Sequence, residues 1–205
     1  MQQAMLTDET IIGSAGLPCD LSFIEWNAMP IPVRFTHFET LGAATQPHFF
    51  QRVMEIMEII HLFDDFERTD LQTMLAEMTC YRIPAESPII FEDEPGDFMM
   101  LLLNGSVEIV KKDGDGVYQQ LGFAGPGKML GDMSLIDDEP RSAGCIARSE
   151  VTVAVLDREG LSRILAESPG VGCKVLMVFL LMSNNRLRDI SGRLARELGN
   201  QIDWM

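Results

Sequence analysis

The chain is poor in the residue types from which metal centres and catalytic triads are built. Its 205 residues include three histidines (His37, His48, His61) and four cysteines (Cys19, Cys80, Cys145, Cys173). The cysteines form no CxxC pair and the histidines supply no ligand pair at short spacing, so a zinc site does not fit and buried, reduced thiols are expected. No Ser/His/Asp or Cys/His set occurs at useful spacing, and His61 beside Asp64-Asp65 lies in a helix–loop region. An enzyme is therefore not expected. Basic charge is scarce too: 16 Lys and Arg against 31 Asp and Glu leave a net charge of −15. Binding to a polyanion draws most of its affinity from phosphate neutralisation, so this balance counts against a general nucleic-acid binder. It leaves room for one small anion held by a single Arg and backbone N–H groups. Long apolar runs are missing as well. The longest, Val175 to Met182, is eight residues, whereas a membrane span needs about 20. No Lys or Arg precedes Arg34, so the basic start of a secretory signal is absent and a cytoplasmic location is expected.

What is present divides the chain into four zones: 1–45, 46–79, 80–157 and 158–205. Residues 1–45 carry Gly, Pro and Thr punctuation, including Met29-Pro30-Ile31-Pro32, and read as an irregular arm. In 46–79, Val53, Ile56, Met57, Ile60 and Leu62 fall at spacings that give a helix one buried face, and Leu71, Met74, Leu75 and Met78 resume a second. Between 80 and 157 short apolar runs alternate with turn chemistry. The candidate strands are Tyr81–Ile83, Pro88–Phe91, Phe98–Leu103, Val107–Lys111, Val117–Phe123, Cys145–Ala147 and Val151–Leu156. Many short strands at this spacing predict an antiparallel β-barrel or jelly roll. After Asp157, a candidate N-cap, the pattern is helical nearly to the end, split at Ser168-Pro169-Gly170. The fold class is thus α+β, a jelly roll flanked by N-terminal helices and a long C-terminal helix.

Residues 131–143 carry the chemistry. Gly131 leads into one predicted helical turn, Met133 to Ile136, and a helix N-terminus offers unpaired N–H groups to an anion. Pro140 stiffens the backbone before Arg141, whose guanidinium can fork onto a phosphate. Asp132 is placed to accept from a sugar hydroxyl. Taken alone, the segment also reads as a turn with a solvated ion pair.

This segment resembles the phosphate-binding cassette of the cyclic-nucleotide-binding domain family, whose pattern is Phe-Gly-Glu, a small apolar helix, then Pro-Arg-Ala/Ser-Ala. Here it reads Leu130-Gly131-Asp132-Met133-Ser134-Leu135, then Pro140-Arg141-Ser142-Ala143. Ile90 to Asp97, Leu101 to Gly105 and Gly125-Pro126-Gly127 resemble the strands and turns that precede the cassette, and the match covers roughly residues 62 to 195. The resemblance implies that Arg141 holds the cyclic phosphate with Ser142 and nearby N–H groups, including that of Ala143. It implies that Gly131 lets the sugar approach, that Asp132 stands where the family has a ribose-binding Glu, and that Met133, Ser134 and Leu135 form the cassette helix. The implied ligand is cAMP, slightly favoured over cGMP. Two departures stand out. Asp132 is one methylene shorter than Glu, and Asp137-Asp138-Glu139 puts three carboxylates beside the cassette. Asp93 also replaces a turn Gly, at a residue type that tolerates left-handed backbone.

In the last helix Leu180, Asn184, Leu187, Ser191, Leu194 and Leu198 recur at coiled-coil seam spacing. The expectation is a homodimer through this helix, although a helix packing on its own barrel also shows a stripe. Bacterial regulators of the family pair through this helix and read the base from it. Aligning Arg186-Leu187 with theirs puts Ile190 and Ser191 at the base-reading positions, Ser191 being the candidate. Those regulators continue into a helix-turn-helix domain, whereas this sequence stops at Met205. The expected output is a protein contact and not direct DNA binding. The alternative is a degenerate module that acts through protein contacts with no nucleotide, or with a different ligand such as a cyclic dinucleotide.

Overall fold

A computed structural model describes residue 35, residues 37–60 and residues 65–202. The first such element, β1 (Glu39–Ala43), lies within the segment read as an irregular arm, and it pairs antiparallel with β2 (Met78–Ile83). Gly42, at φ +101°, sits where their register shifts. Phe35 also packs down, burying its ring against Tyr81 and Phe98. Cys19 and the Met29–Pro32 stretch lie outside the described residues.

Helices α1 (Pro47–Ile60) and α2 (Arg68–Ala76) follow. Val53, Ile56 and Met57 form the buried face of α1 as their spacing predicts, while Leu62 and His61 lie outside the described residues. The strands β2, β3 (Pro88–Ile90), β4 (Phe98–Asn104), β5 (Val107–Lys112), β6 (Tyr118–Ala124), β7 (Met129–Leu130), β8 (Gly144–Ala147) and β9 (Val151–Asp157) build two antiparallel sheets. One has the order β1-β2-β9-β4-β7 and the other β3-β8-β5-β6, the jelly roll the sequence predicts. Between β7 and β8 lies α3 (Asp132–Asp137), and the chain continues into α4 (Arg158–Glu167) and α5 (Pro169–Ile202). Asp157 caps α4 as read, its Oδ1 accepting from Gly160 N at 2.7 Å.

The five-stranded sheet is covered on both faces, and its strands sort their side chains between two cores by the two-residue period. Met99, Leu101 and Leu103 of β4 join the cluster shared with α1, α2, α4 and α5. Phe98, Met100 and Leu102 point the other way, into the interior between the sheets. Alternate residues of β9 divide likewise: Ala154 and Leu156 to the helices, Val151, Val153 and Val155 to the barrel. This double burial is why β4 is a continuous apolar run with no polar alternation.

On α5 the apolar residues form two stripes. Val171, Val175, Val178, Phe179 and Met182 are buried against the domain. The predicted seam is a separate stripe, on which Leu180, Leu187, Leu194 and Leu198 are 51–63 % exposed. At about 100° per residue this stripe lies nearly opposite the buried one. It is therefore not the stripe by which α5 packs on its own domain. Among the described residues no helix is long and apolar enough to cross a membrane.

Candidate phosphate-binding site

The site forms where α3 meets the turn between β3 and β4. Gly131 adopts φ +82°, the left-handed conformation that swings the chain from β7 into α3. Asp93, at φ +66°, takes a left-handed turn position in place of glycine. The cassette and this turn are stitched together by backbone bonds: Arg141 N donates to Glu94 O at 2.8 Å, and Asp93 N donates to Arg141 O at 2.9 Å.

These bonds direct the Arg141 side chain inward, where it is 2 % exposed. Its Nη1 donates to Gly131 O at 2.7 Å and its Nη2 to Phe98 O at 2.8 Å. The guanidinium carbon sits 4.3 Å from the Phe98 ring centroid, within cation–π range. Two glycines make this possible. A Cβ on Gly96 would fall 2.3 Å from Arg141 Nε, and one on Gly131 would fall 2.5 Å from Nη1 and 2.9 Å from Phe98 O. The bare Gly131 Cα, which the resemblance reserves for a sugar, thus also admits the guanidinium.

Asp132, the first residue of α3, is 1 % exposed, and its Oδ1 and Oδ2 lie 3.1 and 3.2 Å from Arg186 Nη2. Arg186 was only an alignment landmark in the sequence, and its contact was missed there. Nothing in a helical Arg–Leu step says which acid 54 residues away it will meet. Ser134 is buried with Leu135, while Met133 is exposed and accepts a long contact from Ser142 Oγ at 3.9 Å. Ser142 is exposed and Ala143 half-buried. The Ser142 carbonyl accepts from Lys111 Nζ at 2.6 Å, and Lys111 also pairs with Glu92 at 3.0 Å, so the end of the cassette is tied to β5. The carboxylates of Asp137, Asp138 and Glu139 are exposed. Asp138 pairs with Arg158 at 2.6 Å, and the same guanidinium donates to Ser134 O at 2.9 Å. Asp138 is therefore held outward by α4.

Gly131, Asp132, Met133, Ser134, Arg141, Ser142 and Ala143 are thus gathered at one cassette. Ser191 is not on the face of α5 that reaches it: five residues beyond Arg186, it lies about 140° around the helix and is exposed.

Two thiols near this framework are inert by environment. Burial pushes Cys80 and Cys145 up to about 12, for Cys145 against a smaller opposing pull from Arg141. Cys173 departs from the expectation of buried thiols and is exposed on α5. A small cavity beside the five-stranded sheet, lined by Met74, Met99, Met129, Val178 and Phe179 among others, has a volume of about 10 Å³. That is room for a water molecule and not for a nucleotide.

A family model for the cyclic nucleotide-binding domain matches residues 62–168, the span that contains this cassette and most of the jelly roll. The chain belongs to the cyclic nucleotide-binding domain family. Among solved structures it is similar to a cyclic nucleotide-binding domain from Methylobacillus flagellatus KT, with TM-score 0.72 and 34 % identity over 78 % of this chain and 89 % of that one. The catabolite activator protein of Thermus thermophilus superposes with TM-score 0.57 at 25 % identity, over 66 % of this chain and 62 % of that one. A CRP-like cAMP-activated global transcriptional regulator of Mycobacterium tuberculosis is 28 % identical over 152 residues, covering 70 % of this chain and 68 % of that protein. The cAMP-dependent protein kinase regulatory subunit of Aspergillus fumigatus is 33 % identical over 116 residues, but this domain spans only 27 % of that protein's length. The Mycobacterium and Aspergillus relatives are regulatory proteins.

Proposed function

We propose that the chain is a sensor that binds a cyclic mononucleotide, cAMP in preference to cGMP, at the 131–143 cassette and signals through protein contacts. The observation that carries this reading is Arg141: a buried guanidinium whose plane is fixed by two carbonyls and an aromatic ring. The guanidinium puts a fixed positive charge inside the cassette, and a phosphate would take up donors that now serve these carbonyls. Gly131, Ser142 and the Ala143 backbone line the same loop as supporting contacts, and Met133 and Ser134 belong to the helix that frames it. The preference for cAMP rests on the cAMP-linked descriptions of the Mycobacterium and Aspergillus relatives. No catalytic step is assigned. Ligand acts by binding two states of the protein with different affinity.

The exposed stripe Leu180, Leu187, Leu194, Leu198 supports pairing of α5 with a second copy, which is also where Ser191 would meet a base across the dimer. With a net charge of −15, the output is a protein partner and not DNA, in a cytoplasmic setting.

A second reading is favoured by one observation, the occupation of Asp132 by Arg186: the domain is an interaction module with no nucleotide, or with a cyclic dinucleotide. Thermal-shift screening separates the two. At millimolar cAMP a micromolar binder raises the melting temperature by roughly 5–15 °C. A flat response to cAMP and cGMP, with or without a shift by cyclic dinucleotides, favours the second reading.

A further inference from the structure

We propose that Lys111 of β5 is a positioning residue for the phosphate site: anchored by Glu92, its ammonium holds the Ser142 carbonyl and so frees the Ala143 N–H to donate to a bound phosphate. The proposal rests on the cyclic-nucleotide reading of the cassette and adds to it a residue from outside the 131–143 segment.

The placement begins with two adjacent lysines at the end of β5. Successive strand residues point to opposite faces, so Lys111 and Lys112 diverge. Lys112 Nζ lies 5.3 Å from the centre of the Tyr118 ring in the β5–β6 hairpin. Lys111 turns to the cassette, where its Nζ meets Glu92 Oε1 at 3.0 Å and donates to Ser142 O at 2.6 Å. Glu92 is a fixed post for that ammonium. Its side chain is 6 % exposed, and its second oxygen accepts from Lys112 N at 2.7 Å.

This bridge stands where the backbone ladder stops. The last β5–β8 pair is Val110↔Gly144, and past it the ammonium takes the place of a strand donor for the Ser142 carbonyl. The preceding peptide is fixed by the β3–β4 turn, Arg141 O accepting from Asp93 N at 2.9 Å. In a trans peptide the carbonyl and the following N–H point in opposite directions. With Ser142 O drawn to Lys111, the Ala143 N–H is directed away from β5, and among the described residues it meets no acceptor. Ala143 is half-buried, and an unpaired N–H in such a place is a ready donor for an anion. The Lys111–Glu92 pair carries no net charge, so it aids binding by ordering the loop beforehand.

The test is calorimetric titration of wild type, Lys111→Met and Glu92→Gln with cAMP, with circular dichroism to check that each is folded. Both variants are expected to bind at least about fivefold more weakly. If Lys111 served only as a nearby positive charge, removing the Glu92 carboxylate would tighten anion binding. A Glu92→Gln protein of equal or higher affinity therefore overturns the positioning role. An unchanged Lys111→Met affinity overturns it too, and leaves the cyclic-nucleotide reading intact. If wild type does not bind, that reading fails and takes this one with it. The amide resonance of Ala143 supplies a readout that a general loss of stability does not move. At saturating cAMP it is expected to shift downfield in wild type, and by less than half as much in Lys111→Met. Equal shifts in the two proteins, or an unmoved Ala143 amide in saturated wild type, overturn the proposal.

Discussion

Arg141 donates to the carbonyl of Phe98 at 2.8 Å while its guanidinium lies 4.3 Å from the centre of the same residue's ring. One residue of β4 thus supplies both an acceptor for the fork and an aromatic surface beneath it, and the opposite edge is fixed by Gly131 O. Phe35 supports the ring edge-on, with centroids 4.8 Å apart.

This arrangement predicts a strict demand for glycine at 96 and 131. Gly131→Ala combines a Cβ in left-handed backbone with contacts below 3 Å to both Arg141 and Phe98 O. It should cost about 1–3 kcal/mol of stability in denaturant titration. Gly96→Ala should be milder for the fold, because what it meets is a side chain, yet it should abolish ligand-induced thermal shifts by displacing the guanidinium. A Gly96→Ala protein that responds to ligand normally contradicts the assigned position of Arg141.

Asp132 and Arg186 should be strongly coupled. In a double-mutant cycle of Asp132→Asn and Arg186→Met, the interaction energy is expected at about 0.5–3 kcal/mol. Arg186→Met should be the worse single change, since it leaves a buried carboxylate without its cation. Additive single effects would show that the pair is incidental.

Much of this fold was legible in the sequence because period and punctuation were clean. Glu94-Pro95-Gly96-Asp97, Asn104-Gly105 and Asp113 to Gly116 marked turns, and seven predicted strands appear within a few residues of their expected ends. The strands missed, β1 and β7, are those whose residues carry little apolar period: Glu39–Ala43 is largely exposed, and Met129–Leu130 has only two residues. Within the site, Arg141 was legible because Pro140 and Ala143 frame it in a recognisable pattern. Arg186 was not, because its partner is set by how α5 crosses the barrel. The α5 stripes were half legible: the seam spacing was visible, but only packing revealed that Val171, Val175, Val178 and Met182 form a second face.

The exposed seam predicts self-association. Leu187→Glu and Leu194→Glu together should convert a dimer to a monomer in sedimentation experiments. Each monomer should keep its stability within about 0.5 kcal/mol, because neither side chain is buried within one chain. A wild-type protein that sediments as a monomer at high concentration contradicts the pairing.

Helix α2 is tied to α5 by Lys174 Nζ and Asp70 Oδ2 at 2.6 Å. The hydrogen bond from Lys174 and that from the Glu67 backbone hold the Asp70 carboxyl below its ordinary 3.8. A depressed carboxyl stabilises the fold above its unfolded value, and that contribution is lost as pH falls through the folded value. Denaturation midpoints should therefore drop on acidification below about pH 4, and less steeply in Lys174→Met. Identical acid limbs for the two proteins would remove the pair from the account.

The central claim is that Arg141 receives the phosphate, and calorimetric titration with cAMP tests it most directly. Wild type is predicted to bind, Arg141→Lys to lose roughly tenfold by giving up the fork while keeping the charge, and Arg141→Ala to lose at least about a hundredfold. Circular dichroism at the titration temperature checks that each variant is folded. Equal affinity in wild type and a folded Arg141→Ala protein would contradict the account.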